Sequence, residues 1–413
     1  MRRVKHAARA VSLSVVLLCI AGTMAAGTAL KYRCATGNYD GRQYRDLCYS
    51  DIVPLLGTEQ LTGGRLPFFD RCAPSSNNCD EYPVLTMYVM RTTAWISGDR
   101  TASFYYTNAL VLTAFAAATA VGLWLLAGRR ALWFALAPTL LILGTINWDL
   151  VAVALATLAL VTFASRRDGW TGVLLGLGAA AKFYPALLVI PLFLQGIQDR
   201  EPDRSVRVLW WTVGTWAIVN LPFAVAAPGA WFEFFRFNSG RVADFDSLWY
   251  IACRHRDLAC VSTGTINAWS LILFVTASGF LLFLKTRRDP DFPRWTLGFP
   301  LLACFLLFNK VYSPQYSLWL LPWFALVVPR WTWFAAFEAA DVAVFVTRFR
   351  YFFPVYVAGG SLTPEERWFE IAVLLRAVVL ICCLVIWVRS DAPTLVLGAR
   401  GWRPLGAAGR VPA

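Results

Sequence analysis

The sequence predicts an all-α polytopic membrane protein, a bundle of about twelve transmembrane or membrane-embedded helices with external loops. Three observations carry this. The chain is 58% hydrophobic over 413 residues, with a mean hydropathy of +0.54. Its charged fraction is 15%, against roughly 25% in soluble domains, so lipid must cover surface that water cannot solvate. Basic residues recur at every second gap between apolar runs: Arg129 and Arg130, Arg166 and Arg167, Arg200 with Arg204 and Arg207, Lys285 with Arg287 and Arg288, Arg330, and Arg389. Such residues fix orientation by staying in cytoplasmic loops. The net charge of +13 is therefore topogenic and implies no nucleic-acid partner, which would require one basic face.

The elements follow in order. Residues 1–30 combine a basic start with an apolar run that is long for a signal h-region, so they read as a retained first transmembrane helix, with a signal peptide cleaved near the small residues of TMAAGTA as the rival reading. Residues 31–106 are the longest polar stretch and read as an external loop region. Residues 107–226 read as a membrane bundle with apolar segments at 107–127, 131–146, 149–164, 170–182, 184–195 and 208–226. The four segments between 131 and 195 are shorter than the ~20 residues needed to cross squarely. They meet at Asn147-Trp148-Asp149 and at Lys182-Phe183-Tyr184-Pro185, as expected of broken helices lining a cavity. Residues 227–264 form a second external segment, in which Trp231-Phe232-Glu233-Phe234-Phe235-Arg236-Phe237 suits a helix lying in the interface. Residues 265–388 supply further spans near 265–284, 294–308, 315–329, 331–346 and 368–388, with a third external stretch near 347–366. Residues 389–413 read as a cytoplasmic tail, so both termini face the cytoplasm.

The cysteines report the same topology. Cys19, Cys304, Cys382 and Cys383 lie in apolar runs and act as small hydrophobes. The other six form three local pairs in segments assigned outside: Cys34 with Cys48, Cys72 with Cys79, and Cys253 with Cys260. Disulfides form in oxidising compartments. A zinc site is the rival reading, but the spacings do not match its usual close pairs. The chain has two His, so no His-based metal site is expected, and no nucleotide-binding loop appears.

Three clusters carry chemistry. Asp51 and the Glu81-Tyr82-Pro83 step lie in the first external region, where an Asp among aromatics suits a general base and equally a helix N-cap. Asn147, Asp149, Lys182 and Tyr184 lie at breaks between apolar runs. Charge beside hydrocarbon is costly and rarely without a role, although segment ends also permit snorkelling. The third cluster is Lys310, Tyr312, Ser313 and Gln315, whose donors fit phosphate and sugar hydroxyls; the plain alternative is an aromatic belt with a proline turn.

Taken together and in this order, Asp51, Glu81-Tyr82-Pro83, Asn147-Trp148-Asp149, GVLLGLGAAAKFYP (Gly172 to Pro185) and KVYSPQY (Lys310 to Tyr316) resemble the actinobacterial polyprenol-phosphate-mannose-dependent mannosyltransferases of glycosyltransferase family 87, in the GT-C superfamily. The resemblance runs from about Tyr49 to Trp387. It implies a GT-C-like bundle at a plasma membrane, with its site on the extracytoplasmic side. It further implies transfer of mannose, with inversion, from a polyprenol-phosphate donor to a hydroxyl of a glycolipid or cell-envelope glycan. Asp51 would be the catalytic base. Lys182, Lys310, Tyr312 and Gln315 would bind the donor phosphate or sugar. No cofactor or metal is implied, although Asp149 and Asp244 remain acidic groups able to take a divalent ion. Two alternatives stay open: a polyprenol-phosphate-arabinose-dependent arabinosyltransferase, and a transporter or flippase of lipid-linked sugars, which also uses broken helices.

Overall fold

The computed structural model describes residues 11–37, 39–73, 79–256, 261–357 and 364–391. These are all-helical, and no strand occurs among them. Five helical stretches are long and apolar enough to cross a membrane: Leu13–Leu30, Thr101–Ala135, Pro202–Ala226, Thr263–Arg288 and Glu365–Arg389. Shorter apolar helices, Asp149–Ala164, Tyr184–Gln198 and Arg294–Phe308, lie among them. The protein is thus a polytopic helical membrane protein whose apolar helices include both kinds.

The two kinds differ in what covers them. The most apolar window of Thr263–Arg288 is only 6% buried inside the protein, and that of Pro202–Ala226 17%. Their apolar surface is left for lipid. In Asp149–Ala164 most side chains are buried by neighbouring helices, including Asp149 itself. Short helices that cannot span alone are tolerated where protein surrounds their ends.

Breaks in the helices follow from the residues at them. The run 131–146 divides into Ala131–Ala135 and Pro138–Leu143. Pro138 offers no N–H and disfavours a helical conformation at Ala137, which is extended at ψ 124°. Pro185 similarly opens a 3-10 turn, Tyr184–Leu188, ahead of Val189–Gln198. The helix starting at Trp331 continues to Val357, beyond the boundary near 346 expected from hydropathy. The polar stretch 31–106 holds short helices at Ile52–Thr58 and Val84–Ile96, and the first turns of Thr101–Ala127.

The glycines of GVLLGLGAAAKFYP set one helix close to another. A Cβ on Gly172 would stand 2.6 Å from the Val208 carbonyl oxygen, and one on Gly176 2.6 Å from that of Thr212. Small residues four apart allow such close packing in membranes. Helix Asp168–Ala181 therefore lies directly on Pro202–Ala226, which fixes where its C-terminus, Lys182, emerges.

The disulfides Cys34–Cys48 and Cys72–Cys79 are both formed. Cys253 is also disulfide-bonded. Its expected partner Cys260 lies outside the described residues, as do residues 1–10 of the first segment and 392–413 of the tail.

Candidate active site

Asp51 is positioned by the residue before it. Ser50 Oγ donates to the carbonyl of Thr145 at 2.7 Å, and the Ile52 N–H to that of Ile146 at 3.3 Å. Tyr39 reinforces the bend by donating to the Ser50 carbonyl at 2.6 Å. The buried Lys31, at the end of the first helix, donates to the Ile142 carbonyl. The chain before Asp51 and the break before Asn147 are thereby stitched together across almost 100 residues of sequence.

The Asp51 carboxylate receives three hydrogen bonds. Tyr49 OH donates to Oδ1 at 2.7 Å, while Asn147 Nδ2 at 2.9 Å and Gln315 Nε2 at 3.3 Å donate to Oδ2. An ionised carboxylate offers about four acceptor positions, so one remains, on Oδ1. Burial raises the Asp51 pKa from its ordinary value; the bonds from Asn147 and Tyr49 and the charge of Lys182 oppose this only in part. Asp51 is consequently a stronger base than a solvated Asp.

Tyr82 joins the cluster through the same amide, since Asn147 Nδ2 also donates to Tyr82 OH at 2.9 Å. The segment leading to it is heavily restrained. Arg65 and Asp80 form a buried pair at 2.6 Å, and Glu59 accepts from the Asp80 N–H at 2.7 Å. Asp80 has a φ of +66°, a left-handed conformation that Asp tolerates better than most residues. The Cys72–Cys79 bridge ends directly before it.

Lys182 faces Asp149 at 3.2 Å, and Trp319 Nε1 donates to the other Asp149 oxygen at 2.7 Å. The Lys182 ammonium also lies 5.4 Å from the centre of the Tyr82 ring and 5.5 Å from that of Tyr316. Thr86 Oγ1 donates to the Ala181 carbonyl at 2.6 Å, tying Val84–Ile96 to this corner. Asp149 starts its helix, where no side-chain cap bond forms; its carboxylate accepts from Lys182 and Trp319 instead.

These groups meet at a cavity of about 530 Å³. Asp51, Glu81, Tyr82, Lys182, Ser313 and Gln315 line it. Asn147 and Asp149 stand one layer behind, bonded to Asp51 and to Lys182. The remaining three expected residues stand away from the lining. Tyr184 is buried and stacks on Trp319 with ring centres 4.4 Å apart. Lys310 turns its ammonium to the Ser239 carbonyl at 2.9 Å. Tyr312 bonds Ser317 at 3.1 Å beneath the Arg376 guanidinium. All three point inward because apolar neighbours on both sides bury their segments.

A second charged group stands on the wall, in which the sequence marks Asp244 only as a possible cation ligand and does not single out Arg241 or Arg348. Asp244 accepts from Arg241 at 3.1 Å and from Ser313 Oγ at 3.3 Å, with Arg348 at 3.6 Å. Arg348 also pairs with Asp246. Burial pushes the Asp244 carboxyl up, but Arg348 and Arg241 more than offset this and hold it below the usual carboxylate range. Arg348 lies two residues past the apolar run 331–346, in a stretch read as external, although its helix continues to Val357. An aromatic wall completes the cavity, with Tyr44 and Tyr49 stacked 6.0 Å apart and Tyr49 packed against Phe349 at 5.3 Å.

Cys72, Cys79 and Asp80 are close enough together to hold an ion, but the two sulfurs are consumed in a disulfide and Asp80 is paired with Arg65. Asp149 and Asp244 are likewise each matched to a cation.

Several known proteins resemble the chain. No curated protein matches it by sequence. Among solved structures it is similar to ArnT from Cupriavidus metallidurans bound to undecaprenyl phosphate, at 14% identity and a TM-score of 0.46 over 92% of this chain and 77% of that one. It is also similar to the oligosaccharyltransferase of Archaeoglobus fulgidus in its apo form, at 12% identity and a TM-score of 0.40 over 92% and 56% of the two chains. The profile of glycosyltransferase family 87 matches residues 81–309, more than half of the sequence and the stretch from Glu81 through the Lys182 motif. Asp51 precedes the matched span and Ser313 and Gln315 follow it. On that match the chain belongs to glycosyltransferase family 87 and is a membrane glycosyltransferase.

Proposed function

We propose that the protein transfers mannose from a polyprenol-phosphate donor to a hydroxyl of an extracytoplasmic glycolipid or cell-envelope glycan, with inversion and with Asp51 as general base. The observation that carries this is the free acceptor position on Asp51 Oδ1, on a carboxylate that burial has made more basic and that opens onto a cavity large enough for a sugar. The acceptor O–H bonds to Oδ1. As its oxygen attacks the anomeric carbon from the face opposite the phosphate, the proton passes to Asp51. The bond between that carbon and the phosphate oxygen breaks, and polyprenyl phosphate leaves with the electron pair. A phosphate is a good leaving group, so one aligned base meets the main chemical need. Tyr49 and Asn147 hold the carboxylate in position, and Lys182 adds positive charge beside it.

Two further features support the reading. A small aromatic cleft lined by Phe68, Phe183, Trp216, Trp231 and Phe235 shares Tyr82, Pro83 and Phe234 with the main cavity. It leads toward lipid-facing surface of Pro202–Ala226, where an isoprenoid tail can remain in the bilayer. Cys48 lies three positions before Asp51, and its disulfide favours an oxidising compartment, in keeping with a site on the extracytoplasmic side of a plasma membrane. The family leaves the transporter reading without support.

Membranes containing the protein are incubated with radiolabelled polyprenol-phosphate mannose and a total lipid extract, beside the Asp51→Asn variant. Label in a new glycolipid with the wild type alone supports donor and base together. Turnover by Asp51→Asn at the wild-type rate would sink the base. Label arising only from polyprenol-phosphate arabinose would replace the sugar.

A further inference from the structure

We infer that Arg241 and Arg348, cross-bridged by Asp244, are the seat of the donor's phosphate; this rests on the lipid-phosphate donor proposed above and names the groups that hold it. The cations expected for that task from sequence are lysines, single point charges without a planar fork. Lys182 is matched by Asp149 at 3.2 Å, and Lys310 bonds a backbone carbonyl away from the cavity. Arg241 and Arg348 both line the cavity. Arg241 follows helix Pro228–Gly240, and its side chain is 32% exposed. Arg348 projects from helix Trp331–Val357 and is 12% exposed.

A guanidinium carries five N–H donors in a planar fork that matches phosphate oxygens two at a time. Arg241 spends part of its fork on Asp244, and the rest is open to the cavity. Asp244 competes with a phosphate for these donors, but it also fixes both forks in place before the ligand arrives, which lowers the ordering cost of binding. Asp244 is itself anchored, since its N–H donates to the Lys310 carbonyl at 2.8 Å. In this way Lys310 serves the site through its backbone.

Base and seat are tied to the same short piece of chain. Ser313 Oγ donates to Asp244 at 3.3 Å, and Gln315 Nε2 donates to Asp51 at 3.3 Å. Asp51, Arg241 and Arg348 all line the one cavity, so an acceptor hydroxyl at the base and a phosphate at the arginines would share it with the sugar between them.

The test uses the full-length protein in lipid nanodiscs, with decaprenyl phosphate and decaprenol as probes. Arg241→Gln is expected to weaken decaprenyl phosphate binding about ten- to a hundredfold and to leave decaprenol binding unchanged. Arg348→Lys, which keeps the charge and the buried pairing with Asp246, is expected to lose less. Asp51→Asn is expected to bind the phosphate as the wild type does. Wild-type affinity in Arg241→Gln, with loss in Lys182→Gln, overturns the seat and moves the phosphate to Lys182. A wild type that binds neither probe overturns the lipid-phosphate donor and the seat with it. In transfer assays the donor KM should rise in Arg241→Gln while the acceptor KM does not; a rise confined to the acceptor assigns the arginines to an acceptor phosphate and overturns the proposal.

Discussion

Asp51 and Asp244 are two carboxylates on one cavity wall, and their surroundings drive them in opposite directions. Asp51 is half-buried among neutral donors, and Lys182, the cation acting on it, is already matched by Asp149, so desolvation dominates and its pKa rises. Asp244 is buried too, but two guanidinium groups flank it and its pKa falls. The first takes a proton more readily than a solvated Asp. The second stays an anion and acts as a strut for its arginines. Burial alone does not make a base, because the charge of the partners decides the sign.

The largest test of this contrast is Asp51→Asn. The amide keeps the shape and can still accept from Asn147 and Gln315, but it takes no proton. A loss of about 10²- to 10⁴-fold in kcat is expected, with phosphate binding retained. The folded pKa of Asp51 lies above its unfolded value, so stability falls as pH rises between the two. The variant is therefore expected to melt no lower than the wild type at neutral pH, and a clear drop in Tm would show that Asp51 is structural.

Lys182→Met comes next. It leaves Asp149 buried without its cation, at a cost of about 3–5 kcal/mol. The double variant Asp149→Asn with Lys182→Met should recover most of that stability in a melting assay without recovering transfer. Recovery of both would remove Lys182 from the mechanism.

Asn147→Ala is smaller. Removing its bond to Asp51 is expected to lower kcat about tenfold and to move the acid limb of the pH–rate profile upward, because that bond holds the Asp51 pKa down. Activity rises with pH through that limb, since the base works deprotonated. An unmoved limb would detach the limb from Asp51. Ser313→Ala should be smallest, a rise of only a few-fold in donor KM with an unchanged pH profile.

Much of the membrane architecture was legible in the sequence, since hydropathy requires only counting. The long spans, the short apolar runs between 131 and 195, and the pairings of Cys34 with Cys48 and Cys72 with Cys79 all follow from local composition and topology. Asn147, Asp149 and Lys182 stood out for a related reason, as polar groups at the edges of apolar runs, whereas Asp51 and Tyr82 lie in the polar external region and stood out through the family resemblance. Which of them share one cavity was not legible. The bonds from Asn147 and Gln315 to Asp51 close loops of 96 and 264 residues, and no spacing rule reaches that far. For the same reason Lys310 and Tyr312 read as ligands in KVYSPQY, whereas packing turns their side chains inward and presents Ser313 and Gln315 instead.

The sequence by itself determined that this protein lives in a membrane, where its chain breaks and which polar residues sit at the breaks, because the cost of polar groups in hydrocarbon is paid residue by residue. Only the tertiary structure decided which carboxylate is a base and which a strut. A pKa depends on distances to charges brought from remote parts of the chain, and those distances exist only once the helices are packed.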